Sequence, residues 1–407
     1  MTTQHCFGTA AALLILLAAA APAQENAMNA TDDYTVACYY FPNYHVDPRN
    51  EARHGPGWTE WELVRHATPR FEGHDQPKEP AWGYTDEADP EEMARKIDAA
   101  ADHGIDAFIF DWYYYEAGKF LERGVEQGFM KARNNDRLKF GLMWANHDWK
   151  DIQPAKRNAK PEVQFPGVVA PETFERMTAM LIADYFPHPS YWRIEGKPYF
   201  SFYDLTSLMA GFGSIEATRE ALDAFRAKAK AAGLPGVHLN AVVWGRAILP
   251  GEQVPGDPAE IVDALGFDSV TSYVWIHHVH LREFPQTPYG YVMEKYFEYA
   301  EGPAKQLGPP YYPNVTMGWD SSPRACQSDV LTNEGYPFMA SISENTPAAF
   351  KQGLERVKAY LDAYPEAQGI FNINCWNEWT EGSYLEPDKT HGMAYLEAIR
   401  NVFGAGE

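Results

Sequence analysis

Along this chain, short apolar runs rich in β-branched and aromatic residues alternate eight times with stretches of helical periodicity. The runs at 36–41, 105–111, 138–144 and 198–203 precede helical patterns at 90–103, 118–134, 171–185 and 214–232. Those at 237–244, 269–274, 312–317 and 369–375 precede patterns at 258–266, 289–306, 347–364 and 393–403. Short apolar runs of this kind read as buried strands, and the longer 3.6-period stretches as helices. A strand that feeds a helix and then a further strand builds a parallel sheet. Eight such units predict an α/β fold, a (β/α)8 barrel with long loops at its C-terminal face. An open doubly wound sheet would carry a glycine-rich phosphate turn after its first strand, and Tyr40-Phe41-Pro42-Asn43-Tyr44 has none. No low-complexity linker or internal repeat interrupts the pattern, so residues 24–407 are expected to form one catalytic domain.

In such a barrel the C-terminal strand ends converge on one face, where active sites form. Here nearly every end carries an aromatic beside a polar group: Tyr40 and Asn43; Asp111, Trp112 and Tyr113; Trp144, Asn146 and His147; Tyr203 and Asp204; Trp244 and Arg246; Tyr273 and Trp275; Trp319 and Asp320. The last strand runs into Cys375-Trp376-Asn377-Glu378-Trp379-Thr380-Glu381-Gly382, two carboxylates three residues apart among indoles. Sugar cleavage needs that combination, because carboxylates supply proton transfer or a nucleophile and indole faces stack on pyranoses. If helical, Glu378 and Glu381 share a face; if looped, they are able to span a sugar. The long insertion after the first strand adds Trp58, Glu60 and Trp61 as a candidate pocket wall.

Three histidines, His277, His278 and His280, follow the sixth strand with no obvious fourth ligand to complete a metal site. We therefore read His277 as a substrate hydrogen-bonder and expect no metal and no cofactor. Arg246 and Arg324 on neighbouring loops raise the prospect of an anionic glycan, sulfated or uronate-bearing. The formal net charge of -22 argues against nucleic acid or an anionic membrane as partner. Residues 7–20 are apolar but too short to span a bilayer, and Ala21-Pro22-Ala23 follows as a small-residue cleavage site. A signal peptide over residues 1–23 and a periplasmic or secreted product are the expectation. Cys38 and Cys375 fall in the first and last strands, neighbours in a closed barrel, and are read with Cys326 as free thiols.

Several segments resemble the WbsX-like proteins, relatives of family 99 glycoside hydrolases. They include 39–45, Trp58-Thr59-Glu60-Trp61, 73–77, 104–108, 110–114, 142–146, Trp319-Asp320 and 376–387. The resemblance implies a barrel acting on glycans. In family 99 hydrolases a Glu-x-x-Glu pair cleaves α-mannosidic bonds with retention. The first Glu is the base on the sugar 2-hydroxyl, which attacks C1, and the second protonates the leaving oxygen. Carried over, Glu378 is the base and Glu381 the general acid, with Trp376 and Asn377 beside the substrate. Those hydrolases have His before the second Glu, where this chain has Thr380, as the WbsX-like branch does. The reading expected from the sequence is a secreted glycoside hydrolase; the alternatives are a glycosyltransferase of polysaccharide assembly and a non-catalytic glycan-binding protein.

Overall fold

The computed structural model describes residues 1–2 and 34–404. The expected signal peptide therefore lies, apart from residues 1 and 2, outside the described residues. The unit Asp33–Glu407 is built on a ring of parallel strands. These are β1 (Thr35–Tyr40), β2 (Ala107–Tyr115), β3 (Lys139–Trp144), β4 (Lys197–Phe202), β5 (His238–Val242), β6 (Ser269–Thr271), β7 (Tyr311–Tyr312), β8 (Asn314–Thr316) and β9 (Ile370–Asn374). They pair in the order β7-β6-β5-β4-β3-β2-β1-β9-β8. β7 and β8 are two halves of the seventh barrel strand. The first half pairs with β6 and the second with β9, so the ring closes across Pro313. Proline has no N–H to give a ladder. Its carbonyl still accepts from Asn372 N at 3.0 Å. The expected (β/α)8 barrel is thus present.

The strands are buried along almost their whole length, as β2 (AFIFDWYYY) illustrates, because helices cover the outer face and side chains fill the interior. The covering helices are α1 (Pro90–Ala101), α2 (Pro171–Met180), α3 (Ile215–Ala231), α4 (Pro258–Leu265), α5 (Tyr289–Glu301), α6 (Pro347–Ala363) and α7 (Ala394–Phe403). Their starts are legible locally. Asp89-Pro90, Asp257-Pro258 and Thr346-Pro347 each put a side-chain cap before a proline in the first turn.

One expected helix is absent. Residues 118–134 instead form a short strand, Gly118–Phe120, antiparallel to the end of β2, followed by a π turn, Gly124–Gly128, and a 3-10 turn, Phe129–Lys131. Close packing accounts for the break. A Cβ on Gly128 would sit 2.1 Å from the carbonyl oxygen of Glu87, so only glycine lets the two backbones meet. Gly128→Ala is accordingly expected to destabilise the fold by about 1–3 kcal/mol, read as a lower urea midpoint at unchanged slope.

Among the described residues no helix is long and apolar enough to cross a membrane. Cys38, Cys326 and Cys375 are free thiols, the first and last buried in the barrel.

Candidate active site

A hollow with about 720 Å³ of open space, solvent included, occupies the C-terminal mouth of the barrel. Alternation along the strands decides what it sees. On β2, Asp111 and Tyr113 face the hollow while Trp112 between them points outward, its Nε1 3.3 Å from the Tyr185 hydroxyl. On β3, Met143 lines it, and Trp144 packs outward against Phe174 and Phe202.

Glu378 and Glu381 both reach the hollow. Asn377–Glu378 pairs antiparallel with Ser383–Tyr384, and a 3-10 turn, Trp379–Glu381, connects them. Gly382 closes the turn in the left-handed conformation at φ 64, where a Cβ would come within 2.9 Å of Asp320 N. Asp320 N in turn donates to the Glu381 carbonyl at 2.6 Å. The two glutamates thus sit on a clamped loop rather than on one helical face.

Arg324 ties the acids together. Its Nε donates to Glu60 Oε1 at 2.7 Å, Nη2 to Glu378 Oε1 at 2.9 Å and Nη1 to Glu381 Oε1 at 2.6 Å. Nη1 also donates to the Tyr336 hydroxyl at 2.6 Å, which donates to Glu381 Oε1 at 2.7 Å. The Thr380 hydroxyl lies 2.6 Å from Glu60 Oε1 and 3.0 Å from Glu378 Oε1, and its one hydrogen serves one of them at a time. One guanidinium therefore faces three carboxylates. Burial pushes the Glu378 carboxyl well above its usual range, with Glu381 and Glu60 adding to the rise and Arg324 opposing it. Burial raises Glu381 as well, against Arg324 and the Tyr336 hydrogen bond. Burial thus favours the neutral form of both, so the pair holds its last proton more firmly than free glutamates would. Two donors converge on Glu381, so in the ligand-free protein the proton favours Glu378.

Of the other residues singled out in the sequence, Asp111, Tyr113, His147, Tyr203, Tyr273, His277, Trp319 and Arg324 line the hollow. The remainder do not, each for a visible reason. Tyr40 faces α1, its hydroxyl 3.1 Å from Lys96 Nζ. Trp376 donates to Glu386 Oε1 at 3.1 Å and Trp379 to Glu386 Oε2 at 2.8 Å, while Lys96 Nζ neutralises that carboxylate at 2.7 Å. Both indoles brace the loop of Glu378 and Glu381 from behind. Trp61 is buried, donating to Thr85 O at 2.8 Å and packing on Tyr44 and Trp379. Asn146 holds two strand-end loops together through Asp204 O and Asp204 N, at 2.7 and 2.8 Å. Asn377 spans to Phe41 N and O, at 2.8 and 2.7 Å. Glu60 lies behind Arg324. Trp244 packs against Tyr203 and His277, its ring tilted to both. Trp58 stacks on His54 at 4.2 Å and lines a separate hollow with Glu62 and His66. Arg246 lies outside beside His280, at 3.1 Å.

Asp320 is likewise a fastener. Its Oδ2 accepts from Gln76 Nε2 at 2.7 Å and lies 2.8 Å from His74 Nε2, and Oδ1 accepts from Ser322 N at 3.0 Å. Burial works against ionisation here, but the His74 and Gln76 hydrogen bonds outweigh it and hold the carboxyl down at about 2. A depressed carboxyl stabilises the fold fully above its unfolded value of 3.8, and that contribution fades as pH falls toward about 2. Asp320→Asn is expected to cost roughly 2 kcal/mol at about pH 7 and less at about pH 3, read by urea unfolding at both.

The three histidines face different surroundings. His277 Nε2 lies 3.7 Å from Glu252 Oε2, His278 Nε2 is 2.7 Å from the Ser272 hydroxyl, and His280 is the partner of Arg246. Glu252 also accepts from the Tyr203 hydroxyl at 2.6 Å and from Ile248 N and Leu249 N at 2.7 and 2.9 Å, drawing that loop over the hollow. Phe41, Trp149 and Ile152 line the wall without having been singled out, and Tyr336 reaches Glu381. Tyr113, His147 and Tyr203 were visible only as strand ends. An aromatic on an inserted loop carries no sequence mark of the direction it faces.

A family model described as Glycosyltransferase WbsX matches residues 36–399. The chain belongs to the WbsX family. It is 28% identical over 388 residues to protein WxcX of Xanthomonas campestris pv. campestris (strain B100), covering 90% of this chain and 49% of that one. WxcX of strain ATCC 33913 is 29% identical over 378 residues, again with 90% and 49% covered. This WbsX-family chain thus spans about half the length of the curated relatives it matches. Among solved structures, a GH99 endo-α-mannosidase from Bacteroides thetaiotaomicron superposes with TM-score 0.54 at 12% identity, covering 91% of this chain and 97% of that one. A structure titled "Glycoside hydrolase-like protein" gives TM-score 0.56 at 13% identity, with 92% and 95% covered. At such identities the likeness is one of fold.

Proposed function

We propose that this WbsX-family protein is a glycoside hydrolase in which Glu378 and Glu381 are the acid–base pair. The observation that carries the reading is their placement: two buried glutamates share one guanidinium at the mouth of a barrel and border a hollow with aromatic walls. A glycosidic bond needs one group to protonate the leaving oxygen and another to promote attack at C1. Following the scheme that the resemblance implies, Glu378 takes the proton of the sugar 2-hydroxyl as that oxygen bonds to C1. The bond from C1 to the leaving oxygen breaks, and the leaving oxygen receives the proton of Glu381. Water then attacks C1 of the 1,2-anhydro sugar and gives its proton to Glu381, while the C1–O2 bond breaks and O2 regains a proton from Glu378. The anomeric configuration is retained. These roles need the proton on Glu381 when substrate is bound, whereas Arg324 and Tyr336 favour it on Glu378 in the empty site. Loss of the Tyr336 hydrogen bond on substrate entry would reverse that preference.

The family model's description names a second reading, a glycosyltransferase. The small-residue cleavage site after residues 7–20 supports export to the periplasm or beyond, where nucleotide-sugar donors are scarce. A screen of algal, fungal and bacterial polysaccharides with reducing-end detection tests the first reading, with Glu378→Gln and Glu381→Gln as blanks. Cleavage that survives in both variants sinks it. A nucleotide sugar that raises the melting temperature supports the transferase.

A further inference from the structure

Four side chains on the wall of the hollow each carry a buried polar atom with no hydrogen-bond partner among the described residues: Asp111 Oδ1, Trp149 Nε1, His277 Nδ1 and Trp319 Nε1. Each of the four residues is at most 4% exposed. Such atoms are uncommon in folded proteins, and several on one wall call for an explanation. The chemistry of the set is mixed. Two are indole N–H donors. His277 Nδ1 is an acceptor when the ring turns its N–H, on Nε2, toward Glu252. The fourth is a carboxyl oxygen whose twin, Oδ2, is taken by the Tyr273 hydroxyl at 2.8 Å. A sugar hydroxyl both donates and accepts, so a ring bearing several of them matches such a set.

The charges on the wall narrow the class of ring. Its cationic groups are committed: Arg324 serves three carboxylates, and Lys150 Nζ lies 3.6 Å from Asp148 Oδ2. Glu378 and Glu381 add acid whose counter-charge, Arg324, is already divided with Glu60. Around Asp111 stand Cys38 and Tyr39 of β1, Tyr113 of β2, Tyr203, Tyr273, Cys375, Glu378 and Glu381, with Arg324 the one cation acting on it. A carboxylate or sulfate on the sugar would meet this excess with no free partner. We propose that Asp111, Trp149, His277 and Trp319 together read the hydroxyl groups of an uncharged sugar ring held in this hollow, its entry turning these side chains slightly to uncover the four atoms. Burial keeps the Asp111 carboxyl protonated well above its usual range, so it is able to donate as well as accept. The inference rests on the glycan part of the proposed function and not on its hydrolytic part. It replaces the anionic glycan suggested by Arg246 and Arg324.

Methyl glycosides of mannose, glucose and galactose, their mono-deoxy analogues and methyl glucuronide are suitable probes, titrated by ligand-observed NMR. At least one uncharged glycoside is expected to bind, with the glucuronide about 10-fold weaker or more. Trp149→Phe and Trp319→Phe keep the ring and remove the N–H, and each is expected to weaken that binding about 5–10-fold. For each, one deoxy analogue should bind variant and wild type alike, which a merely structural loss would not produce. Failure of every uncharged glycoside to bind, tighter binding of the glucuronide, or two Phe variants indistinguishable from wild type overturns the proposal. Should binding behave as expected while Glu378→Gln and Glu381→Gln leave glycan cleavage intact, the hydrolytic reading falls and this one stands.

Discussion

Glu381→Gln is expected to lower cleavage of a natural glycan by about 10²–10⁴-fold while sparing glycosides with an activated leaving group. A fluoride or nitrophenolate departs without a proton, so only the attacking step then needs help. Glu378→Gln removes that help and is expected to depress both substrate types alike. The contrast matters because the free protein points the other way: Arg324 Nη1 and the Tyr336 hydroxyl both stabilise the anion of Glu381, leaving the proton on Glu378. The reverse pattern, sparing by Glu378→Gln, exchanges the two roles. The pH–rate profile gives a second reading. Losing the acid removes the alkaline limb and losing the base removes the acidic one. Equal activity of both variants and wild type on every substrate ends the assignment.

Arg324→Met is expected to destabilise the protein by about 3–5 kcal/mol at neutral pH, since it strips the counter-charge from Glu60, Glu378 and Glu381 together. Without the guanidinium, the Glu378 and Glu381 carboxyls rise further above the 4.5 that glutamate keeps when unfolded. A raised carboxyl contributes stability that is complete below the unfolded value and is lost as pH climbs through the folded one. The deficit of Arg324→Met should therefore be greatest near neutrality and shrink as pH falls toward about 4.5. Thermal unfolding of both proteins across that range checks it. A deficit independent of pH would place the loss in packing against Phe41, whose ring lies 5.1 Å from the guanidinium, rather than in charge.

Much of the scaffold was readable because it rests on local rules. Strand runs, helical periodicity and proline-marked caps recur at a spacing that only a barrel accommodates, and the helix expected at 118–134 failed where Gly128 meets a backbone oxygen no local pattern reveals. The acid pair was readable too, since Glu378 and Glu381 end the last strand. What each side chain faces was not. Tyr40, Trp112 and Trp144 sit at strand ends as fully as Asp111 and Tyr113 do, yet one step along a pleated strand turns a residue from the hollow to the helices. Trp376 and Trp379 lie beside the acids in sequence and behind them in space. Arg324, far along the chain from Glu60, Glu378 and Glu381, joins the three in one cluster, so tertiary packing decided which charges meet. The sequence by itself determined the barrel and the rim on which chemistry must sit, because periodicity and capping act over a few residues. The facing of each aromatic and the sharing of one guanidinium among three glutamates belong to the closed ring, because burial and charge act between neighbours in space.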